Sequence, residues 1–173
     1  SAFNQGYHLM VEAGTGTGKS FAYLIPAAFW ALTNNRRVVI STNTIALQDQ
    51  LINKDIPDLG SALNIPLRAA ILKGRSNYLC PHRFEALRFR GPENKEEIRV
   101  LAKILVWLYQ GGDGDRSRLN VNSPMEREIW QKVSSDDENC SAEKCMSRNG
   151  GICPFYQAHQ AAESAHILIV NHA

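Results

Sequence analysis

Short apolar runs and longer amphipathic stretches alternate over the first 72 residues and return at the end of the chain. "HLMV" (8–11), "VVI" (38–40), "LRAAIL" (67–72) and "HILIV" (166–170) are too short for helices and read as strands. The unbroken "VVI" suits a strand buried on both faces of a sheet. Between the first two runs, "FAYLIPAAFWAL" (21–32) predicts an apolar helix, which Pro26 is expected to bend or shorten. After the second run, Thr42, Asn43 and Thr44 are good cap residues. They precede a helix with Ile45, Leu47, Leu51 and Ile52 in one stripe and Gln48, Asp49 and Gln50 outside it.

From residue 73 to 157 no strand pattern is clear. "NKEEIRVLAKILVWLYQ" (94–110) predicts an amphipathic helix whose apolar side is Ile98, Leu101, Ile104, Leu105 and Leu108, ended by Gly111 and Gly112. "GGDGDRSRLN" (111–120) is a polar loop, and "SPMEREIWQKV" (123–133) opens with Ser123 as cap and Pro124 in the first turn. Trp107 and Trp130 fall in these helices and read as packing residues. "PFYQAHQAAESA" (154–165) is a short helix leading into the last strand. The pattern divides the chain into 1–72, a mainly α-helical insertion over 73–157, and a return segment over 158–173.

The loop between the first strand and the first helix carries the clearest chemistry. "EAGTGTGKS" (12–20) is a glycine-rich loop ending in Lys-Ser. Glycine permits a close backbone approach to phosphate oxygens, and successive N–H groups at a helix N-terminus form an anion nest. Lys19 would reach the β- and γ-phosphates of ATP, and Ser20 would offer its hydroxyl to Mg²⁺. Ala13, Gly14, Thr15, Gly16, Thr17, Gly18, Lys19 and Ser20 form the candidate nucleotide site, with Ala13 where such loops begin with glycine. Strands alternating with helices behind a P-loop predict a parallel α/β sheet of RecA-like architecture.

Composition narrows the class further. With 44% hydrophobic and 21% charged residues over 173 positions, the chain has the makeup of a soluble globular domain. A net charge of +2 says nothing by itself about nucleic acid. The longest apolar run is too short for a bilayer, and the start lacks the basic and apolar regions of a secretory signal. A cytoplasmic location is expected, where thiols stay reduced, so disulfides are the weakest reading of the four cysteines.

Those cysteines are Cys80, then Cys140 after 59 residues, Cys145 after four more and Cys153 after seven more. Four thiolates suit a tetrahedral Zn²⁺ or a [4Fe–4S] cluster. Zinc knuckles favour closely paired cysteines, which only Cys140 and Cys145 approach, whereas a cubane tolerates uneven spacing. His82 and His159 are substitute ligands by type, although His82 reads as a surface residue. Spacing leaves zinc and iron–sulfur both open.

Taken together, these segments resemble the iron–sulfur superfamily 2 helicases of the XPD/DinG family, most of all the bacterial DinG branch. "EAGTGTGKS" resembles motif I, and "STNTIALQDQL" (41–51) resembles motif Ia. "KGRSNYLC" (73–80) resembles the segment bearing the first cluster cysteine, Cys140, Cys145 and Cys153 resemble the other three, and "ILIVNHA" (167–173) resembles the strand before the DEAH box. The resemblance implies a [4Fe–4S] cluster on Cys80, Cys140, Cys145 and Cys153. It also implies an ATP-dependent 5′→3′ DNA helicase of replication or repair that acts, as a monomer, on single strands and duplex junctions. No DEAH sequence and no second motor domain occur in these residues, so the chain is expected to be a fragment without turnover of its own.

Candidate DNA contacts follow from charge and from motif Ia. Lys73, Arg75, Arg83, Arg88 and Arg90 crowd one stretch against Glu85 alone, with Tyr78 and Phe84 among them as stacking candidates. Thr42 and Gln48 fall where motif Ia meets the phosphate backbone. The expected contacts are therefore Thr42, Gln48, Arg75, Tyr78 and Arg83, against the plainer reading of a solvated basic face with two core aromatics. Two other functions compete: a P-loop kinase or NTPase with a zinc-stabilised lid, and a nucleic-acid-binding module with an incidental P-loop. Neither a kinase acceptor site nor a use for "STNTIALQDQL" is evident under the first.

Overall fold

The computed structural model describes residues 2–136, 140, 145 and 153–171. The chain divides into two compact units, Ser1–Leu72 with Ala161–Ala173, and Lys73–Gln160.

The first unit is built on a parallel sheet of three strands, β1 (Val38–Thr42), β2 (Ala69–Leu72) and β3 (Ile167–Asn171), in the order β1-β3-β2. The last strand in sequence is thus the central one, with Ile167 paired to Val38 on one side and Ala69 on the other. Parallel neighbours cannot be joined by a tight turn. The link from β1 to β2 is accordingly helical, and the link from β2 to β3 contains the whole second unit. Ile167 and Ile169 pack with Leu24, Ala28, Leu51, Ile56 and Leu59, while Leu168 packs with Ala70, Ala162 and Ala165. This alternation about one strand buries both faces of β3. The expectation for "VVI" needs correction: β1 is an edge strand, and Val39 is 58% exposed.

Two helices precede β1: the short α1 (Ala2–Gln5) and the long α2 (Lys19–Asn34). Despite Pro26, α2 keeps all sixteen residues, so the proline does not shorten it. The helical link after β1 is α3 (Ile45–Gln50), a π-helical turn (Leu51–Asp55) and α4 (Ile56–Leu63). Thr44 caps α3 by accepting from the Leu47 N–H. Pro57, at the start of α4, has no N–H to give an α-helical bond. The wider turn before it, closed by Ile56 N–H to Leu51 C=O, accommodates that loss. The expected first strand is the other correction: residues 8–11 pair with no strand among the described residues, and Met10 is 96% exposed.

The second unit is helical. Its main elements are α5 (Pro81–Arg90), α6 (Lys95–Tyr109) and α7 (Pro124–Val133); α8 (Pro154–Ser164) begins in it and leads to β3. Its core joins Leu79, Phe84, Leu87, Val100, Leu101, Ile104, Leu119, Val121, Ile129, Trp130 and Val133. Trp130 is fully buried and donates its indole N–H to the Ser76 carbonyl at 2.8 Å, which removes the cost of burying that polar group. At the start of α7, Ser123 and Glu126 form the reciprocal capping box. In α6 the buried stripe is Glu97, Val100, Leu101 and Ile104, while Ile98 and Leu105 are exposed. The inward face is therefore rotated from the expected one and includes a carboxylate.

Candidate functional site

The P-loop of the first unit has the backbone its sequence demands. Gly16 and Gly18 adopt φ of +78° and +76°, which a side chain would strain. Gly18 is the residue before α2, and no side chain caps that helix, so its first N–H groups face the loop without a local acceptor. The Thr17 hydroxyl donates to the Gly14 carbonyl at 3.0 Å, and Lys19 Nζ donates to the Ala13 carbonyl at 3.0 Å. The loop from Ala13 to Lys19 is exposed, as a ligand-receiving loop must be. The Tyr23 phenol is pushed above its usual range, chiefly by burial, with the nearby Ser20 hydroxyl opposing the shift.

The four cysteines all belong to the second unit. Cys80 precedes the first residue of α5, with its N–H held by the Val133 carbonyl at 2.8 Å. Cys145 and Cys153 are buried with Tyr78 and Phe155, and Cys140 packs against the same cluster. All four are free thiols. Burial is the main cause that raises the Cys80 thiol, the Arg83 and His82 N–H groups oppose it, and the Cys140 and Cys153 sulfurs add to it. Cys145 is pushed up to about 12, by burial first and then by the Cys153, Cys140 and Cys80 sulfurs. Cys80, Cys145 and Cys153 are buried and Cys140 is half-buried; a cation bound there would favour the thiolate form that burial disfavours. Among the described residues no three His, Cys, Asp or Glu side chains form a group ready for a single metal ion.

Aromatic residues wall this cluster. Phe155 meets Tyr78 edge-on at 5.8 Å and His159 at 4.5 Å, and the Arg75 guanidinium lies over its ring at 4.4 Å. The Tyr78 hydroxyl accepts from the Lys73 N–H at 3.1 Å. Tyr78 and Phe84 are thus core aromatics with no face for a base. Thr42 is buried too, and Gln48 is 1% exposed, so neither side chain reaches a strand lying on the surface. Arg75 and Arg83 remain half-buried, the latter bonded to the Ser134 carbonyl and to Asp136 at 2.7 Å.

The DEAD/DEAH box helicase family model matches residues 1–84, which include the P-loop, α3 and Cys80. Over 99% of its length the chain is 38% identical to the ATP-dependent DNA helicase YoaA of Escherichia coli. It is 37% identical to the ATP-dependent helicase DinG of Mycobacterium tuberculosis, again over 99% of its length. Residues 1–84 are therefore a DEAD/DEAH box helicase segment, and the chain as a whole matches part of the DinG-type helicases. A Bacillus subtilis relative, 36% identical over 99% of the chain, bears the name 3′-5′ exonuclease DinG. The chain spans 18% of that relative, 26% of YoaA and 28% of the mycobacterial protein. No helix among the described residues is long and apolar enough to cross a membrane.

Lys132 and Phe89 are surface features that sequence reasoning missed. Lys132, on α7, is bonded to the buried Glu97 at 2.9 Å, and Phe89, on α5, is 82% exposed. For Phe89 a signal existed, since it stands between Arg88 and Arg90.

Proposed function

We propose that the chain supplies the ATP-binding P-loop and a [4Fe–4S] centre to a DNA helicase that couples ATP hydrolysis to 5′→3′ strand separation in replication or repair. One observation supports the cluster reading: Cys140, Cys145 and Cys153 pack together with Tyr78 and Phe155, and the buried Cys80, 72 intervening residues before Cys153, stands two residues past Tyr78. Zinc is the competing occupant. Cys80, Cys140, Cys145 and Cys153 would hold the cluster, which when bound supplies a rigid cross-link across the unit. Lys19 and Ser20 would hold the phosphates and Mg²⁺ of ATP in the other unit.

Iron and acid-labile sulfide analysis on protein purified without oxygen tests the cluster. About four irons and four sulfides per chain are expected. One zinc and no sulfide overturns the cluster and favours an NTPase with a zinc-stabilised lid. Replacing Cys153 by Ser should abolish the brown chromophore and lower the stability of the second unit.

A further inference from the structure

We infer that Tyr23 and Asp55 are positioning residues for the nucleotide site: a relay from the Ser20 hydroxyl through the Tyr23 phenol to the buried Asp55 carboxylate turns the Ser20 oxygen toward Mg²⁺. The inference rests on the P-loop reading and deepens it, by naming residues outside the loop that set its affinity for the metal. Tyr23 is three residues beyond Ser20 on α2, so the two are neighbours on one helix face. A long side chain on a helix leans toward the N-terminus and covers the turn before its own Cα. That direction carries the Tyr23 phenol back over Lys19 and Ser20. Tyr23 is 37% exposed, at the border of the core, and the adjacent Leu24 belongs to one buried cluster with Leu51 and Ile56.

Leu51 opens the π-helical turn and Asp55 closes it, both on its buried side. Such single turns inside helices are frequent at functional sites. Asp55 is 3% exposed, and its Oδ2 accepts from Gln50 Nε2 at 3.0 Å. Among the described residues no Lys or Arg forms an ion pair with it. A carboxylate buried without a cation is costly, and it has lone pairs for a further donor. The Tyr23 phenol stands between the two groups: after burial, the Ser20 hydroxyl and then the Asp55 carboxylate are what act on it. The chemistry of a metal ligand fixes the direction of the chain. An oxygen that gives a lone pair to Mg²⁺ points its hydrogen away from the ion. The Tyr23 oxygen accepts that hydrogen, and the Tyr23 hydrogen turns to Asp55. Both changes are rotations of a hydroxyl and need no movement of the backbone. The negative charge at the end of the relay makes the Ser20 oxygen a stronger ligand, as partners behind a metal ligand do.

The test is a Mg²⁺ titration of a fluorescent ATP analogue on the whole anaerobically purified chain, with the affinity for the same analogue in EDTA measured alongside. Tyr23→Phe and Asp55→Asn should each raise the half-saturating Mg²⁺ about ten-fold and leave the affinity in EDTA unchanged. The double variant should lose no more than either single one, because both break the same chain. In a Ser20→Ala background Tyr23→Phe should have no further effect, a result that a mere packing role for the ring would not give. Unchanged Mg²⁺ dependence in both single variants, an equal loss in EDTA, or additive losses in the double variant overturns the relay. A parent chain that binds the analogue equally well with and without Mg²⁺ overturns it too. The P-loop reading fails separately: a parent chain that does not bind the analogue, or binding that Lys19→Ala leaves intact, overturns that reading and the relay with it.

Discussion

Glu97 offers the sharpest test of what holds the second unit together. Its carboxylate lies in the core with no exposed surface, accepting from the Glu93 N–H, Lys132 and Arg90. These partners, the Glu93 N–H first, pull its acidity down from the ordinary 4.5 to about 2. The folded pKa is below the unfolded one, so the carboxylate contributes stability above the unfolded value. That stability is lost as pH falls from about 4.5 through about 2. A depression of about 2.5 units corresponds to ~3.4 kcal/mol as a ceiling. Both cations are more than a third open to solvent, which screens them and brings the expected contribution to about 2 kcal/mol.

Glu97→Gln keeps the shape and removes the charge. With a urea dependence of about 2 kcal/mol per molar, the midpoint at pH 7 should fall by about 1 M. In a Trp30→Phe background, tryptophan fluorescence reports the second unit, because Trp130 and Trp107 belong to its core. The gap between parent and variant should be constant from pH 8 to 5, then narrow to about half near pH 3. Glu126, also held near 2 by Lys103 and by the Ser123 and Asn122 N–H groups, titrates in both proteins and cancels in the difference. Equal midpoints at pH 7, or a gap that persists undiminished at pH 2.5, would refute the ion-pair account.

Other outcomes follow from single contacts. Lys19→Ala should reduce binding of a fluorescent ATP analogue with Mg²⁺ at least ten-fold, measured by titration, with the urea midpoint unchanged. Ser123→Ala removes one half of the α7 capping box and should cost about 1 kcal/mol in the same unfolding assay. Gly112→Ala would place a methyl group 2.5 Å from the Trp107 ring, and should lower the midpoint by at least as much as the cap loss. Trp130→Phe strands the Ser76 carbonyl and opens a void, for about 2 kcal/mol.

What could be read from the sequence depended on whether its cause was local. The P-loop, the Ser123 cap and the limits of α6 and α7 rest on residues a few positions apart, and these elements appear where they were expected. Sheet position is a different matter. Nothing within "VVI" says that β1 is an edge strand, because that depends on β3, more than a hundred residues later, taking the place between β1 and β2. The run at 8–11 likewise has strand composition, but a strand exists only where a neighbour pairs with it.

The second unit shows how a charge can mislead a periodic reading. Counting apolar residues puts Ile98 and Leu105 on the inner face of α6 and sends Glu97 outward. The structure reverses that choice because Lys132 and Arg90, from α7 and α5, and a backbone N–H satisfy the carboxylate. The partners are on other helices, so no window along α6 contains the information. The same reversal sets the surface. By drawing Arg90 and Lys132 to one rim, an inward Glu97 gathers cations that the sequence disperses over 43 positions, whereas an outward Glu97 would leave each helix with its own solvated charges. The buried carboxylate and the cations gathered around it are therefore one feature, and the acid-side loss of stability should shrink when Glu97 is neutralised.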